Sequence, residues 1–400
     1  MLMAFSVVSG IAVGGTELDM AVTAEAAETS LEKSMLPYYY SLLSEKEQGW
    51  YLQMREAVIN KKSSVKIKGS IKEDTINKLA NTMFYYDVLT FNLKNISGGA
   101  IYANSAEINF EYNFSKESYD KMLAAMDKTA DTVIKKFDED TSTYTKIKYI
   151  HDYLIKKTEY VEDAKTAHYA YGAMAKGEAV CEGYAQAFAY ICRKAGIRTV
   201  NVIGRAGGES HMWNKVYYNK KWYNVDVTWN DPVSNLVENS TYEYFMVSDE
   251  VMNRSHTPDK CEYKVPAATD DSKNYYARNK LVASSNSEAK TLLVNQIAKA
   301  VSKGKSVVTI KFSDQNAYSS FLSYIKKNNS EQLFDILDEA ANKSKKLITL
   351  GCQTNSNNDC YTFTMFVYRK GSSLSDYYTD TKQVDKDTKD YLKQLGVTID

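Results

Sequence analysis

The sequence predicts an α+β protein built around a helix and a following β-hairpin, with a small α/β module on either side. Three observations carry this prediction. Apolar residues recur at helical spacing from Glu182 onward, and strand-forming residues fill two runs between His211 and Trp229. The third observation is an internal repeat, in which residues 57–70 resemble residues 300–313.

The helix is predicted to begin at Cys181 and to end before Gly196. The chain from Glu182 reads EGYAQAFAYICRKAG, with two basic residues in the last turn and a glycine after it, which is a common stop signal. Its apolar face is formed by Tyr184, Phe188, Ile191 and Cys192. A thiol at a helix N-terminus meets unpaired N–H groups and the positive end of the helix dipole, which favour the reactive thiolate. The alternative for Cys181 is a buried structural cysteine.

The hairpin is predicted from two runs rich in strand-forming residues, His211–Tyr218 and Trp222–Trp229. Asn219-Lys220 between them has the length of a two-residue turn, although it lacks the preferred glycine. A two-residue turn places His211 and Asp226 on one face as diagonal neighbours, roughly 7–8 Å apart between backbones.

A thiol, an imidazole and a carboxylate in this chain order are the parts of an activated cysteine nucleophile. Asp226 could hold one ring N–H of His211 and thereby set the tautomer of the imidazole. His211 alone could be a partly buried strand histidine. Asp226 is harder to explain without a function, because an aspartate is disfavoured inside a strand and a buried charge needs a partner.

The surrounding motifs extend this pattern. They are GEAVCEGYA around Cys181, HMWN from His211 and KWYNVDVTWNDP around Asp226, with IHDYLIKKTEY and YAYG upstream and YFMVSDE downstream. Together they resemble the bacterial branch of the transglutaminase-like cysteine enzymes over about residues 143–260. The resemblance implies a papain-like fold, in which a nucleophile helix packs on an antiparallel sheet. It also implies that Cys181 is the nucleophile, His211 the base and Asp226 its orienting partner.

The expected chemistry is thiol-dependent acyl transfer from protein or peptide amides. The backbone N–H of Cys181 would stabilise the oxyanion, with Tyr171 as a second donor. Trp213 and Gly183 are further candidates for substrate binding. The acyl-enzyme would pass to water or to an amine, and hydrolysis is favoured because water competes wherever no acceptor pocket is built. The alternative is a non-catalytic adhesion or binding protein of the cell envelope, built on the same scaffold.

Composition and spacing argue against other classes of function. The chain has 50 basic and 50 acidic residues, so no global field recruits nucleic acid or an anionic membrane. The sequence holds no CxxC pair, no calcium loop and no glycine-rich phosphate loop. We therefore predict no metal and no cofactor.

The N-terminal residues resemble a targeting segment. Residues 1–26 combine an apolar run with the small-residue pattern Ala24-Glu-Ala26, which is typical of a signal peptide, although the basic start is missing. The run is too short for a transmembrane anchor. We expect a secreted or cell-envelope protein whose substrate could belong to the cell wall; the alternative is a buried N-terminal element of a cytoplasmic protein. In an oxidising compartment, Cys352 and Cys360 could form a disulfide across a hairpin.

The repeat predicts the domain organisation. Residues 57–70 and 300–313 share eight identities in fourteen positions, and helix-like and strand-like stretches follow both in the same order. We expect two copies of one α/β module, at 31–115 and 270–400, flanking a catalytic domain at 116–265. The alternative is a coincidence between two generic amphipathic segments.

Overall fold

The computed structural model describes residues 35–231, 241–260, 263–303, 307–344 and 349–369. The signal-peptide-like segment and Cys261 lie outside these ranges. Contacts within the chain define two units. The first comprises the described residues up to Trp222 together with His256–Ala267. The second comprises Tyr223–Ser255 together with the described residues from Ala268 onward.

Both units mix helices with mainly antiparallel strands, so the predicted α+β class is confirmed. In the first unit the helices are α1 (Glu45–Ile59), α2 (Glu73–Tyr86), α3 (Lys116–Ile134), α4 (Thr143–Lys157) and α5 (Cys181–Lys194). Its strands are β1 (Ser64–Lys68), β2 (Leu93–Ile101), β3 (Ser105–Tyr112), β4 (Glu159–Tyr160), β5 (Glu178–Ala179), β6 (Thr199–Ala206), β7 (Glu209–Tyr218) and β10 (His256–Pro258). Across the described residues, no helix has the length and apolar content needed to cross a bilayer.

The predicted central helix is present as α5, and it begins at Cys181 itself. Val180 precedes it in an extended conformation, and the Tyr184 N–H closes the first helical bond onto the Val180 carbonyl at 3.1 Å. The predicted apolar face is buried, and Gly196 follows the helix with a φ of 72°. The first N–H groups of a helix have no acceptor within it, so this start leaves the amide of Cys181 available as a donor.

Helix α5 packs against an antiparallel sheet in which β10, β6 and β7 are neighbours in that order. A buried asparagine on β7 joins the two layers. The Nδ2 of Asn214 donates to the Ala185 carbonyl of α5 at 3.1 Å and to the Oδ1 of Asn201 on β6 at 3.0 Å. A helix resting on a sheet is the arrangement that the family resemblance implies.

The predicted two-residue turn follows β7. Asn219 and Lys220 have φ angles of 47° and 62°. A type I′ turn needs the left-handed conformation at both central positions, and asparagine tolerates it better than most residues. The turn therefore forms without glycine and leads into β8 (Lys221–Val225), which ends in the second unit.

The prediction that this strand continues to Trp229 is wrong. Strand β8 stops at Val225, and the residues after Asp226 form a turn. The Oδ1 of Asp226 accepts the Trp229 N–H at 3.0 Å, and its carbonyl accepts the Asn230 N–H at 3.3 Å. These local bonds replace the ladder bonds of a strand, as short polar side chains often do.

The second unit continues from this turn. Its helices are α6 (Asp249–Met252), α7 (Tyr275–Arg278), α8 (Asn286–Ser302), α9 (Gln315–Lys326) and α10 (Glu331–Lys343). Its further strands are β9 (Phe245–Val247), β11 (Val282–Ala283), β12 (Val307–Phe312), β13 (Leu350–Asn357) and β14 (Thr362–Arg369).

The two flanking sheets share one strand order. The N-terminal sheet is ordered β1-β3-β2 and the C-terminal sheet β11-β12-β14-β13, so the last three strands of the C-terminal sheet repeat the N-terminal order and β11 is additional. In both sheets the strand after a long helix, β1 or β12, pairs with the second strand of a hairpin, β3 or β14. Ile67 of β1 and Ile310 of β12 are fully buried at matching positions of the repeat. The origin of the two modules by duplication stays a prediction.

The disulfide that the sequence left open between Cys352 and Cys360 is not formed, because both are free thiols. Cys352 pairs with Val367 well inside the β13–β14 ladder, whereas Cys360 lies in the turn beyond Asn357. Asn357 lies five positions after Cys352 along β13, which is roughly 17 Å at the usual rise per residue. A disulfide cannot span that distance.

A buried charge network anchors the C-terminal end of α5 to the N-terminal helices. Asp87 is buried and accepts from the Tyr51 hydroxyl and the Arg55 Nε, both at 2.6 Å. Arg193, in the last turn of α5, is also buried and donates to the Tyr86 carbonyl at 3.1 Å. The N-terminal module thus shares a core with α5. Whether the catalytic domain folds alone from residue 116 stays a prediction.

Replacing Asp87 by alanine should destabilise the first unit by about 2–4 kcal/mol, because it leaves the largely buried Arg55 guanidinium without its carboxylate. Thermal and urea unfolding followed by circular dichroism would measure the loss. The matched control is Glu56→Ala, which breaks the exposed Lys62–Glu56 pair and should cost less than about 1 kcal/mol. Equal losses in the two variants would contradict the importance of the buried network.

Candidate active site

Cys181 is placed where a reactive thiol would need to be. It is a free, partly exposed cysteine at the first position of α5. The chain reaches it through β5, which follows a left-handed turn at Gly177 with a φ of 74°. A side chain at Gly177 would also meet the Lys157 carbonyl, so the local sequence fixes the approach to the helix.

Tyr160 lies beside the start of the helix. Strand β4 pairs in parallel with β5 and sets Tyr160 opposite Ala179, two residues before Cys181. Burial, followed by the charge of a Cys181 thiolate, raises the pKa of Tyr160. Tyr160 had no role in the sequence-based prediction; its place in the upstream KKTEY motif was the available signal.

His211 belongs to a cluster of three rings in the first unit. It lies on β7 and is 8% exposed. Its ring centre lies 6.2 Å from that of Trp213, at an interplanar angle of 18°, and 5.5 Å from that of His256. The pairing of β10 with β6 puts His256 beside His211. A sequence pattern could not reveal this neighbour, because it depends on a long-range strand pairing.

Trp213 packs inside this cluster. Its ring meets the His256 ring edge-on at 5.2 Å between centres, and it is 1% exposed. The ring therefore supports the two imidazoles from within the domain. Its predicted contact with substrate stays a prediction.

Tyr171 immediately precedes a π-helical turn at Gly172–Lys176. The Nζ of Lys176 lies 5.7 Å from the centre of the Tyr171 ring. Its predicted role as an oxyanion donor stays a prediction.

Gly183 lies in the first turn of α5 and is buried. A Cβ at this position would overlap the Ala167 carbonyl oxygen and crowd the Ala179 side chain. The segment that leads into the helix therefore packs directly on the Gly183 backbone. The small size of this residue serves internal packing, in addition to any room it leaves for substrate.

Asp226 belongs to the second unit and is fully buried. Its backbone N–H donates to the Tyr244 carbonyl at 3.0 Å, and its Oδ1 is used by the turn that ends β8. The backbone around Asp226 is thus held by its own local bonds. Its pairing with His211 and the pairing of His211 with Cys181 stay predictions.

The other described cysteines differ from Cys181. Cys192 is buried on the apolar face of α5, as predicted, and burial raises the pKa of its thiol well above the usual value. Burial raises the pKa of Cys352 to about 11 and that of Cys360 to about 12. These three thiols are therefore protonated near neutral pH, where they react slowly.

The model of the transglutaminase-like superfamily matches residues 129–227, which include Tyr160, Cys181, His211 and Asp226. This region belongs to the transglutaminase-like superfamily. The match confirms the family that the motifs indicated.

Two relatives are similar to part of this chain. The kyphoscoliosis peptidases of Mus musculus and Homo sapiens are each 30% identical over 105 residues, which cover 21% of this chain and 15% of the relative. The chain thus spans a small part of their length. Among solved structures, a TGase is similar over 41% of this chain and 50% of its own, with 16% identity and a TM-score of 0.25.

Replacing Gly183 by alanine should destabilise the transglutaminase-like domain by about 1–3 kcal/mol, because the clash is with backbone that cannot rotate away. The thermal midpoint of unfolding measures this effect. Gly49→Ala is the matched control: it lies in α1, nothing is within 4 Å of its Cβ position, and it should stabilise by about 0.5–1 kcal/mol. If Gly183→Ala kept its stability but lost turnover, the residue would instead serve substrate binding.

Proposed function

We propose that this protein is a thiol-dependent acyl-transfer enzyme that acts on protein or peptide amides, with Cys181 as nucleophile, His211 as base and Asp226 as the partner that orients His211. The observation that carries the proposal is the position of Cys181. A free, partly exposed thiol opens a helix within the transglutaminase-like region, and the amide of the same residue is among the first N–H groups of the helix, which have no acceptor within it. That position supplies a backbone N–H that could act as an oxyanion donor beside the thiol.

The proposed reaction begins when the Cys181 thiolate attacks the amide carbon. A C–S bond forms, the carbonyl π electrons move to oxygen, and the Cys181 N–H stabilises the resulting oxyanion. The C–N bond then breaks as the carbonyl re-forms, and His211 gives its proton to the leaving amine. Water or a second amine attacks the thioester, His211 takes its proton, and the thiolate is released.

Hydrolysis is the favoured outcome. Cys181 is partly exposed and Tyr160 is 49% exposed, so water can reach the thioester where a transfer enzyme would need to exclude it. The two mammalian relatives are named as peptidases, which also favours hydrolysis. We further propose that the protein acts outside the cytoplasm, supported by the signal-peptide-like residues 1–26.

The test is incubation of the full chain with casein and a biotinylated primary amine, followed by mass spectrometry. New peptide termini that are absent with Cys181→Ala would support hydrolysis. Biotin on glutamine side chains would instead mean that the enzyme cross-links. No Cys181-dependent product of either kind, together with thiol labelling no faster than that of free cysteine, would favour the binding-protein alternative.

A further inference from the structure

Strand β9 carries one extra residue opposite the end of β8. Asn224 lies opposite Val247 and Val225 lies opposite Phe245, so Met246 between them is the extra residue of a β-bulge. Its φ is 59°, the left-handed conformation that a bulge usually gives to glycine, and its side chain is fully buried. Bulges are common next to active sites, where they redirect a neighbouring side chain.

Asp226 is the residue that follows the bulge on the opposite strand, and it faces Tyr244. In a regular antiparallel ladder two such residues exchange both of their backbone hydrogen bonds. The Asp226 N–H donates to the Tyr244 carbonyl at 3.0 Å. The Tyr244 N–H, which would make the return bond, donates instead to the Oδ1 of Asn230 at 2.9 Å, and the Asp226 carbonyl accepts the Asn230 N–H at 3.3 Å. Asn230 thus supplies the acceptor and the donor that end the ladder at Asp226.

Asn230 is itself firmly held. It is fully buried, and its carbonyl accepts both the N–H and the Oγ1 hydroxyl of Thr241 at 3.1 Å. The neighbouring Trp229 N–H donates to the Asp226 carboxylate at 3.0 Å. The turn therefore constrains Asp226 at two points, its carbonyl through Asn230 and its carboxylate through Trp229.

Loss of the Asn230 side chain would favour a different arrangement. A buried N–H requires an acceptor, and for the Tyr244 N–H the ladder acceptor is the Asp226 carbonyl. A bond between these two groups would extend β8 through the next residues, which are valine and threonine and favour strands. The turn would then open, and the carboxylate of Asp226 would lose its fixed direction.

We propose that Asn230 is a positioning residue, which fixes the direction of the Asp226 carboxylate by ending β8 at that point. The inference rests on the proposed function, in which Asp226 orients His211. Asn230 lies in the KWYNVDVTWNDP motif, but the sequence analysis gave it no role.

A double-mutant cycle on the full chain tests this role. The substrate is 4-nitrophenyl acetate: the Cys181 thiolate attacks its carbonyl carbon, the C–S bond forms, the C–O bond breaks and 4-nitrophenolate leaves. Water then attacks the thioester, gives a proton to His211 and releases acetate. The steady-state kcat therefore includes a step that needs an oriented imidazole, and the rate of Cys181→Ala is subtracted from every measurement.

We expect Asn230→Ala to lower kcat by about 10–10²-fold, because a small displacement of a reacting or orienting group has an effect of this size. The KM should stay within about twofold. In a chain that already carries Asp226→Asn, the same substitution should change kcat by less than about twofold, because residues that act as a unit are not additive.

Asn274→Ala is the matched control. Asn274 is also a buried asparagine of the second unit, and its Oδ1 accepts the Ala277 N–H at 2.9 Å at the start of α7. Its loss should lower the thermal midpoint of unfolding and leave kcat unchanged. If Asn230→Ala fails to reproduce the circular dichroism spectrum of the parent, the cycle is run with Asn230→Ser, whose oxygen lies one atom closer to the backbone.

Two results would overturn the proposal. A kcat within about threefold of the parent would mean that Asp226 keeps its direction without Asn230. An equal fall with and without Asp226→Asn would mean that Asn230 acts independently of Asp226. The proposed function itself fails on different evidence, namely no Cys181-dependent turnover in the parent or no loss of rate in Asp226→Asn alone.

Discussion

The Cys181→Ala variant is expected to show no amide turnover above background, because the proposed mechanism has no other nucleophile. Cys181→Ser should be nearly as inactive, since a serine hydroxyl is far less nucleophilic and a site suited to a thiolate does not deprotonate it. The measurement is cleavage of casein, or incorporation of the biotinylated amine, over time. Circular dichroism spectra matching the parent would show that the loss is chemical.

Cys192→Ala is the matched control for the nucleophile. Cys192 lies on the same helix but is fully buried on its apolar face, so its loss should lower stability while activity persists. Iodoacetamide near neutral pH should label Cys181 well ahead of Cys192, Cys352 and Cys360, whose thiol pKa values are raised by burial. Retained turnover in Cys181→Ala would disprove the mechanism.

Asp226→Asn should lower the rate by roughly 10²–10⁴-fold and leave the fold intact. The asparagine oxygen can still accept the Trp229 N–H, so the turn after β8 survives the change. The amide nitrogen of the asparagine, however, is a hydrogen-bond donor, whereas the second carboxylate oxygen of Asp226 would accept a ring N–H of His211. The variant would therefore favour the wrong tautomer of the His211 imidazole. The reduced rate should appear together with an unchanged thermal midpoint.

Asp314→Asn provides the control for this change. Asp314 accepts the Ala317 N–H at the start of α9 with the same three-residue spacing, at 3.0 Å, and it has no proposed role in the chemistry. Its variant should match the parent in rate. If Asp226→Asn also stayed within about threefold of the parent, Asp226 would be a structural residue of the turn and the triad would be wrong.

Local sequence patterns predicted the elements that depend on neighbours along the chain. The start of α5 at Cys181 and its end near Gly196 follow from apolar spacing and a glycine stop, both of which act within a few residues. The Asn219-Lys220 turn likewise depends only on its own backbone. The end of β8 was mispredicted because strand-forming residues continue to Trp229, and the local hydrogen bonds of Asp226 outweigh that preference.

Motifs and periodicities that are local and ordered along the chain were sufficient to predict the transglutaminase-like family of residues 129–227, the α+β class and the candidate nucleophile. The side chains that lie near that nucleophile and near His211 depend instead on long-range strand pairing. The β4–β5 pairing brings Tyr160 beside the segment that leads into Cys181, and the pairing of β10 with β6 brings His256 beside His211. Such contacts join residues 19 to 45 positions apart in sequence, and their formation depends on the free energy of the whole packed domain rather than on any local preference.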